Sequence, residues 1–233
     1  ASWMPPPRHN PARLRPLGPA SVIFLCIAVF SWQLSFSERE MERVIETFGF
    51  TPGALLPAIY RSPGVDSPWV WMTLVTSMFL HGGFLHLGGN MLYLWIFGNN
   101  VEDAMGHGRY ACFYFACGIM AAFAQAFSEP SSDIPMVGAS GAISGVLAAY
   151  AIIFPRARVN VVIPLGIIFY PLKISAVYVI GFWFLLQLPN LLFGGGGVGG
   201  TAWWAHVGGF LMGLVLTPLF SRFPLFGRHR SQL

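Results

Sequence analysis

The chain has 233 residues and a formal net charge of +4, with 55% hydrophobic and only 9% charged residues. An ordinary soluble domain carries about 25% charged residues, so this composition excludes a water-soluble protein of the usual kind. The apolar runs between the clustered charges exceed the ~18 residues that indicate a membrane helix. We therefore expect an all-α polytopic membrane protein that forms one bundle.

The first predicted span, 17–36, follows a predicted N-terminal tail, 1–16. Residues 1–3 precede Met4 and are expected to be a cloning scar. We expect no cleavable signal peptide, because the first apolar run lacks a small-residue cleavage site. The connection 38–69 mixes charged and apolar residues. It is therefore predicted to be a structured loop partly sunk in the membrane interface.

The second predicted span, 78–97, contains His81, His86 and Asn90. His86 and Asn90 are four residues apart and so share one face of a helix. Asn90 can only donate or accept hydrogen bonds, which suits an oxyanion hole and not proton transfer. His81 lies near the mouth of the helix, where ordering the adjoining loop is its simplest role.

The third predicted span is 110–127. All three cysteines of the chain lie in apolar runs: Cys26, Cys112 and Cys117. We interpret them as small apolar packing residues and not as a disulfide framework.

The fourth predicted span, 138–154, begins with the sequence Gly-Ala-Ser-Gly, in which the serine is Ser140. The first N–H groups of a helix are unpaired and carry partial positive charge, so a serine there lies in an oxyanion-binding environment. A serine that only caps a helix would give the same tetrapeptide.

The next segment, 159–172, is too short to span the bilayer, and we expect an interfacial or re-entrant loop. It is broken by Pro164, Gly166 and Pro171. The fifth predicted span, 174–193, leads into the glycine-rich segment 194–200. This segment is either a mobile cap over the site or a plain flexible connector.

The sixth predicted span, 202–220, contains His206. Spans four and six each carry two glycines spaced four residues apart: Gly141, Gly145, Gly209 and Gly213. Such small-residue faces allow close helix approach, which would bring Ser140 and His206 within reach of each other. A structural histidine bonded to a backbone carbonyl is the alternative.

The distribution of basic residues predicts the orientation of the membrane domain, 17–221, and of the C-terminal tail, 222–233. Of the thirteen Lys and Arg residues, ten fall on the side of the termini, and three on the other: Arg39, Arg43 and Arg61. Because cytoplasmic loops carry the basic excess, both tails are predicted to be cytoplasmic. All five polar candidates then lie toward the opposite side of the membrane: His81, His86, Asn90, Ser140 and His206. Polar groups inside a membrane are costly, and their presence therefore indicates function.

Three ordered motifs together resemble the signatures of the rhomboid intramembrane serine proteases. They are HGGFLHLGGN from His81, GASG from Gly138 and AHVGGFLMG from Ala205. The pattern GxxxExxxG from Gly98 is also similar to the family's. The resemblance covers residues 78–220.

This resemblance implies a six-transmembrane-helix rhomboid-like bundle in which Ser140 is the nucleophile and His206 the general base. His86, Asn90 and the Ser140 amide would form the oxyanion hole. It also implies substrates that are transmembrane segments of other proteins, cut near their extracytoplasmic end within the lipid bilayer. No cofactor, metal ion or nucleic acid is expected, and a bacterial inner membrane is the predicted location.

Two departures accompany the resemblance. Some relatives carry an aromatic residue four positions after the serine to stack on the histidine, whereas this chain has Ser144. Some also hold a Trp-Arg pair before span two, whereas this chain has Trp69 and Trp71 without an adjacent arginine.

Two other functions stay open at this point. One is a catalytically inactive rhomboid-like factor that binds membrane proteins. The other is a transporter or haem-binding bundle that uses His86 and His206 as ligands, although it leaves the Ser140 motif unexplained. The zinc-protease motif His-Glu-x-x-His is absent. A Ser-Lys dyad is excluded by topology, because the only lysine, Lys173, is predicted on the opposite side of the membrane from Ser140.

Overall fold

The computed structural model describes residues 14–61, 64, 67–165, 168–186 and 202–222. The predicted glycine-rich cap at 194–200 lies outside these described residues. Most of what is described is helical, arranged around one buried core.

The N-terminal part consists of α1 (Leu17–Gln33), α2 (Glu38–Phe48) and the short α3 (Leu55–Ile59). A capping box between Ser37 and Glu40 starts α2, in which the Ser37 amide and hydroxyl donate to the Glu40 carboxylate over 2.9 and 2.7 Å. These two hydrogen bonds hold the pKa of Glu40 below its ordinary value. The predicted interfacial loop therefore contains short helices.

The second span differs from its prediction. A helical segment, α4 (Ser67–Thr76), ends in a 3₁₀ turn, and α5 (Phe84–Tyr93) then continues through a π-helical turn, Leu94–Gly98, into α6 (Asn99–Met105). The helical segments before and after the break meet at 83°. The predicted range 78–97 is therefore wrong at both ends, because residues 80–83 form the break and the helix after it continues to Met105.

The middle of α6 carries a buried carboxylate that joins three helices. Glu102 is fully buried, and its Oε1 accepts a hydrogen bond from the Gly18 amide of α1 over 2.7 Å. The same oxygen lies 2.8 Å from Nδ1 of His107, the first residue of the next helix. Asp103 also lies in α6.

Two long helices, α7 (His107–Ser128) and α10 (Trp203–Phe220), pack against each other, and both pack against α8 (Ser140–Ile153). Side chains from α5 to α8 supply much of the core, and the largest of those fully buried are Leu94, Met105, Tyr110, Phe113, Tyr114 and Leu147. A smaller apolar cluster includes Phe50, Leu55, Leu74, Ala122 and Ala126.

The segment predicted as a loop at 159–172 is an antiparallel hairpin of β1 (Arg158–Leu165) and β2 (Ile168–Ser175). The all-α prediction is therefore wrong here. The cause is a run of β-branched residues, which favours strands, with a partner strand directly following it. The hairpin leads into α9 (Ala176–Leu185), which covers the first part of the fifth predicted span.

Among the described helices, α7 and α10 are long and apolar enough to cross a membrane alone. The bent pair Pro68–Phe79 and Phe84–Met105 meets the same criterion when taken together. The helices α1, α8 and α9 are apolar but shorter. Six spans therefore stay a prediction.

Candidate active site

Ser140 is the first residue of α8, and the chain just before it is held by backbone hydrogen bonds. Phe50 and Met136 exchange two of these, over 3.0 and 2.8 Å, and the Gly138 amide donates to the Ser77 carbonyl over 2.9 Å. Gly138 has φ of +117°, a conformation that L side chains rarely adopt. These contacts fix the point at which α8 begins.

His206 lies in the first turn of α10, and its Nε2 is 2.7 Å from Oγ of Ser140. The histidine side chain is buried, with 8% of the residue exposed. A serine hydroxyl at this distance can donate its proton to a neutral imidazole. The structure thus brings together the serine and the histidine that the sequence analysis selected.

The helix crossing that joins them depends on the predicted glycines. A Cβ added to Gly209 would overlap the Gly141 carbonyl oxygen, and one added to Gly213 would lie 2.6 Å from the Gly145 Cα. The third side is closed by α7, since a Cβ on Gly145 would lie 2.5 Å from the Cys117 Sγ. The helices therefore approach as closely as small-residue faces allow.

His86 and Asn90 lie on α5 beside the backbone that precedes the serine. A Cβ added to Gly138 would be 2.6 Å from His86 Nε2 and 3.6 Å from Asn90 Nδ2. Only a glycine leaves room for both nitrogen atoms there. Asn90 is 8% exposed, and its Nδ2 has no hydrogen-bond partner among the described residues.

His81 has a different environment from the other four predicted site residues. Its backbone N–H donates to Gln33 Oε1 over 3.0 Å, and its carbonyl accepts from Gln33 Nε2 over 3.1 Å. Its Nδ1 lies 3.2 Å from the Phe79 carbonyl oxygen. These bonds join the break before α5 to α1, in agreement with a role in ordering the adjoining segment.

The serine opens onto a cavity of about 860 Å³, within the 300–1,000 Å³ usual for ligand pockets. Its polar lining includes His86, Asn90, Ser140 and His206, and aromatic walls come from Tyr93 and Trp183. Four of the five predicted residues therefore share one cavity, and His81 does not line it.

A family model, the Rhomboid domain, matches residues 68–223, which is more than half of the chain. The protein belongs to the rhomboid family. Its family membership and its apolar helices identify it as an integral membrane protein.

Individual relatives resemble parts of the chain. It is 43% identical over 79 residues to Rhomboid protease GluP of Bacillus subtilis, which covers 34% of this chain and 15% of that protein. It is 30% identical over 170 residues to Rhomboid-type serine protease 2 of Emericella nidulans, covering 72% and 30%. Rhomboid-like protein 11, chloroplastic, of Arabidopsis thaliana is 28% identical over 164 residues, covering 66% and 54%. The matched part of each of these three relatives is thus about half of its length or less.

The sequence alone gave no role to two features of this rhomboid site. The Gln125 side chain accepts a hydrogen bond from the Ala205 amide over 3.2 Å and so fixes the start of α10 against α7. The His206 ring contacts those of Trp183 and Trp203, with centroid distances of 5.7 and 6.0 Å. Trp203 is one helical turn before His206, a spacing that indicates contact. Trp183 gives no such local signal.

Proposed function

We propose that this rhomboid protein is a serine endopeptidase that cuts transmembrane segments of other membrane proteins near their extracytoplasmic end. Ser140 is the nucleophile and His206 the general base. One observation carries the proposal, namely the 2.7 Å separation of His206 Nε2 and Ser140 Oγ at a cavity in a member of a protease-containing family.

The chemistry follows from the two side chains. As Ser140 Oγ attacks the peptide carbonyl carbon, His206 Nε2 takes the hydroxyl proton and then delivers it to the leaving amine nitrogen. The product is an acyl ester on Ser140. Water then attacks the ester carbonyl, again losing a proton to His206, and Ser140 recovers its proton as the acid leaves.

The developing negative charge on the carbonyl oxygen needs donors already in position. Three groups are assigned to this role: the Ser140 amide, Asn90 Nδ2 and His86 Nε2. The amide belongs to the first turn of α8, where N–H groups have no intrahelical partner and the helix dipole is positive. Both side-chain nitrogens face the backbone at Gly138, next to that amide.

The proposed setting is a six-span domain, 17–221, between cytoplasmic tails, 1–16 and 222–233, in a bacterial inner membrane. The basic residues favour this orientation, which puts Ser140 toward the extracytoplasmic side. Substrate helices would then reach the cavity from the bilayer. Relatives from a chloroplast and from mitochondria make an organellar membrane the alternative location.

The decisive experiment compares wild type with Ser140→Ala on a model type I transmembrane substrate in proteoliposomes. Ser144→Ala is the matched control, because this hydroxyl is buried one turn further on and donates to the Ser140 carbonyl oxygen. We expect cleavage and fluorophosphonate labelling in wild type and in Ser144→Ala, and neither in Ser140→Ala. Equal cleavage by the Ser140→Ala protein would refute the proposal.

An inactive rhomboid-like factor that binds membrane proteins is the second candidate. It would bind the same substrate in wild type and in Ser140→Ala without cleavage or labelling of either. The short contact between Ser140 and His206 favours the enzyme, because a factor that only binds needs no hydroxyl aligned with an imidazole.

A further inference from the structure

The hairpin of β1 and β2 leaves the bundle at the ends of two apolar helices. α8 ends at Ile153 and α9 begins at Ala176. The Ala176 amide donates to the Ala157 carbonyl oxygen over 2.9 Å, which closes the base of the hairpin. Val159 packs against the core of the bundle. In the proposed membrane domain the base of the hairpin therefore lies at one surface of the bilayer.

Near its base the hairpin is amphipathic, because residues directly opposite each other on paired strands share one face of the sheet. Two pairs on one face are apolar and partly buried: Val159–Ile174 and Val161–Leu172. The pair between them, Asn160–Lys173, belongs to the other face, and both of its residues are exposed. The base of the hairpin thus has one apolar and one polar face.

Beyond residue 160 the sequence of the hairpin is apolar on both strands. From Val161 to Phe169 it contains no charged side chain and none that can form a hydrogen bond. Tyr170, which follows, is 54% exposed, and tyrosine is enriched where membrane and water meet. The described sheet consists of these two strands alone, and such a hairpin is marginally stable at best in water. The hairpin therefore needs an apolar environment outside the sheet.

The outer edges of the two strands disfavour another strand as that environment. In the observed register Val162 pairs with Pro171, and Pro164 pairs with Phe169, so each strand has a proline within the ladder. A proline has no N–H to donate and is tolerated in a sheet where that position faces outward. Prolines on an edge block the addition of a further strand. A second copy or an extended peptide that pairs with the hairpin is therefore disfavoured.

The same edges exclude deep burial of the hairpin in lipid. Their unpaired backbone N–H and C=O groups cannot be satisfied in hydrocarbon. Each strand has eight residues and extends about 26 Å, less than the ~30 Å of the hydrocarbon core. At the membrane–water interface, in contrast, headgroups and water satisfy the backbone while acyl chains cover the apolar face.

Three basic residues surround the base of the hairpin, and the chain supplies no counter-charge for them. Arg156, Arg158 and Lys173 are all exposed. The sequence has no Asp or Glu after Asp133, and within the described ranges none of the three forms an ion pair. Lysine and arginine next to a membrane are attracted to anionic lipid headgroups. The charge at this base is therefore complementary to an anionic lipid surface.

We propose that the hairpin, residues 158–175, is a lipid-binding element in the interface of the cytoplasmic leaflet. Its apolar face lies against the acyl chains, and Arg156, Arg158 and Lys173 bind the phosphates of anionic lipids. This inference goes beyond the proposed protease function and is independent of it, since it rests on the membrane setting alone.

The test measures lipid contact at position 170 in the full chain, reconstituted in phosphatidylcholine vesicles. With the three native cysteines replaced, Tyr170→Cys carries a nitrobenzoxadiazole fluorophore, and Asn160→Cys carries it on the polar face as the control. The quenchers are aqueous iodide and two lipids spin-labelled near the headgroup, phosphatidylcholine and phosphatidylglycerol. At position 170 we expect quenching by both lipids, with a preference of about fivefold or more for phosphatidylglycerol, the effect of one basic residue at an anionic surface. At position 160 iodide should be the stronger quencher.

A second comparison tests the basic residues in the Tyr170→Cys background. The test variant changes three exposed side chains to glutamine: Arg156→Gln, Arg158→Gln and Lys173→Gln. The matched control removes the same charge from the predicted opposite side of the membrane: Arg39→Gln, Arg43→Gln and Arg61→Gln. We expect the test variant to lose the preference for phosphatidylglycerol and the control to keep it. Thermal unfolding in detergent verifies that both variants are folded.

Four results would overturn the proposal. Quenching at position 170 by iodide and not by lipid would put the hairpin in water. Blue-shifted emission that neither iodide nor lipid quenches would indicate a covering protein, such as a second copy. Equal quenching by the two lipids before the charges are removed, or an equal loss of preference in the matched control, would remove the anionic lipid site. Since no measurement requires cleavage, a failure here is distinct from a failure of the protease function.

Discussion

Asn90 is a buried amide that lines the same cavity as Ser140. A buried donor without a partner costs about 1–3 kcal/mol, and Asn90 Nδ2 has none among the described residues. Such a donor is accounted for if its partner is an oxyanion that exists only during the reaction. The same position next to Gly138 gives His86 Nε2 the same direction.

For Asn90→Ala we predict that kcat for substrate cleavage falls about a hundred- to a thousandfold, as for other single oxyanion donors, while the fold is kept. The loss should be smaller than that of His206→Ala, which removes the proposed base. Asn160→Ala serves as the control, because Asn160 is exposed on β1, in the hairpin. A kcat within the range of this control would remove Asn90 from the oxyanion hole.

The site residues differ in how far the sequence reveals them. Ser140, His206, His86 and Asn90 were selected because polar groups are rare and costly in apolar segments. Trp183 was not selected, because it is one of 8 tryptophans in a chain that also has 21 phenylalanines, and an aromatic residue in a membrane helix is ordinary. Its ring contact with His206 is a tertiary contact that no local pattern encodes.

Among the elements, the crossing of α8 and α10 sets the geometry of the dyad. A Cβ on Gly213 would lie 2.5 Å from the Gly145 carbonyl oxygen, and this oxygen belongs to backbone that cannot move independently. Gly88 on α5, in contrast, has no atom within 4 Å of a Cβ added there. Equal glycine-to-alanine changes therefore have opposite structural consequences at these two positions.

We predict that Gly213→Ala lowers the free energy of unfolding in mixed micelles by about 1–3 kcal/mol, the usual cost of overpacking. Gly88→Ala should be neutral or slightly stabilising, since alanine favours a helix by up to about 1 kcal/mol over glycine. Denaturant titrations of both variants provide the comparison. Indistinguishable midpoints would mean that the crossing tolerates a wider helix separation.

The sequence predicted the ends of a helix well where the apolar run and the helix have the same ends. The predicted spans 110–127 and 202–220 agree closely with His107–Ser128 and Trp203–Phe220. Hydropathy did not reveal the 83° break before α5, because the residues on both sides of it are equally apolar. The hairpin was missed because its β-branched run indicates a strand only when a partner segment lies beside it, and hydropathy does not show that pairing.

At the scale of the whole molecule, the proposed orientation separates the cavity side from the hairpin side. Asp133, just before α8, and Asn160, in the hairpin, are both exposed and lie beyond opposite ends of that helix. With Cys26, Cys112 and Cys117 replaced, each of these positions can carry a single cysteine.

In intact bacterial cells we expect a membrane-impermeant maleimide to label Asp133→Cys and to leave Asn160→Cys unlabelled. Opening the membranes should make Asn160→Cys reactive, which controls for its exposure. Labelling of Asn160→Cys from outside would reverse the orientation, and labelling of both would contradict a span at α8.

The shortness of α8 has a consequence for where a substrate is cut. Its 14 residues extend about 21 Å, whereas the 22 residues of α7 extend about 33 Å and the hydrocarbon core is about 30 Å thick. In the proposed topology Ser140 then lies roughly 9 Å below the outer hydrocarbon boundary, a depth of about six residues along an incoming helix. For the proposed protease, the thickness of the bilayer therefore decides which bond of the substrate helix lies at Ser140. A thicker membrane would draw more of the substrate helix into lipid above Ser140 and shift the scissile bond by about one residue for each 1.5 Å of depth.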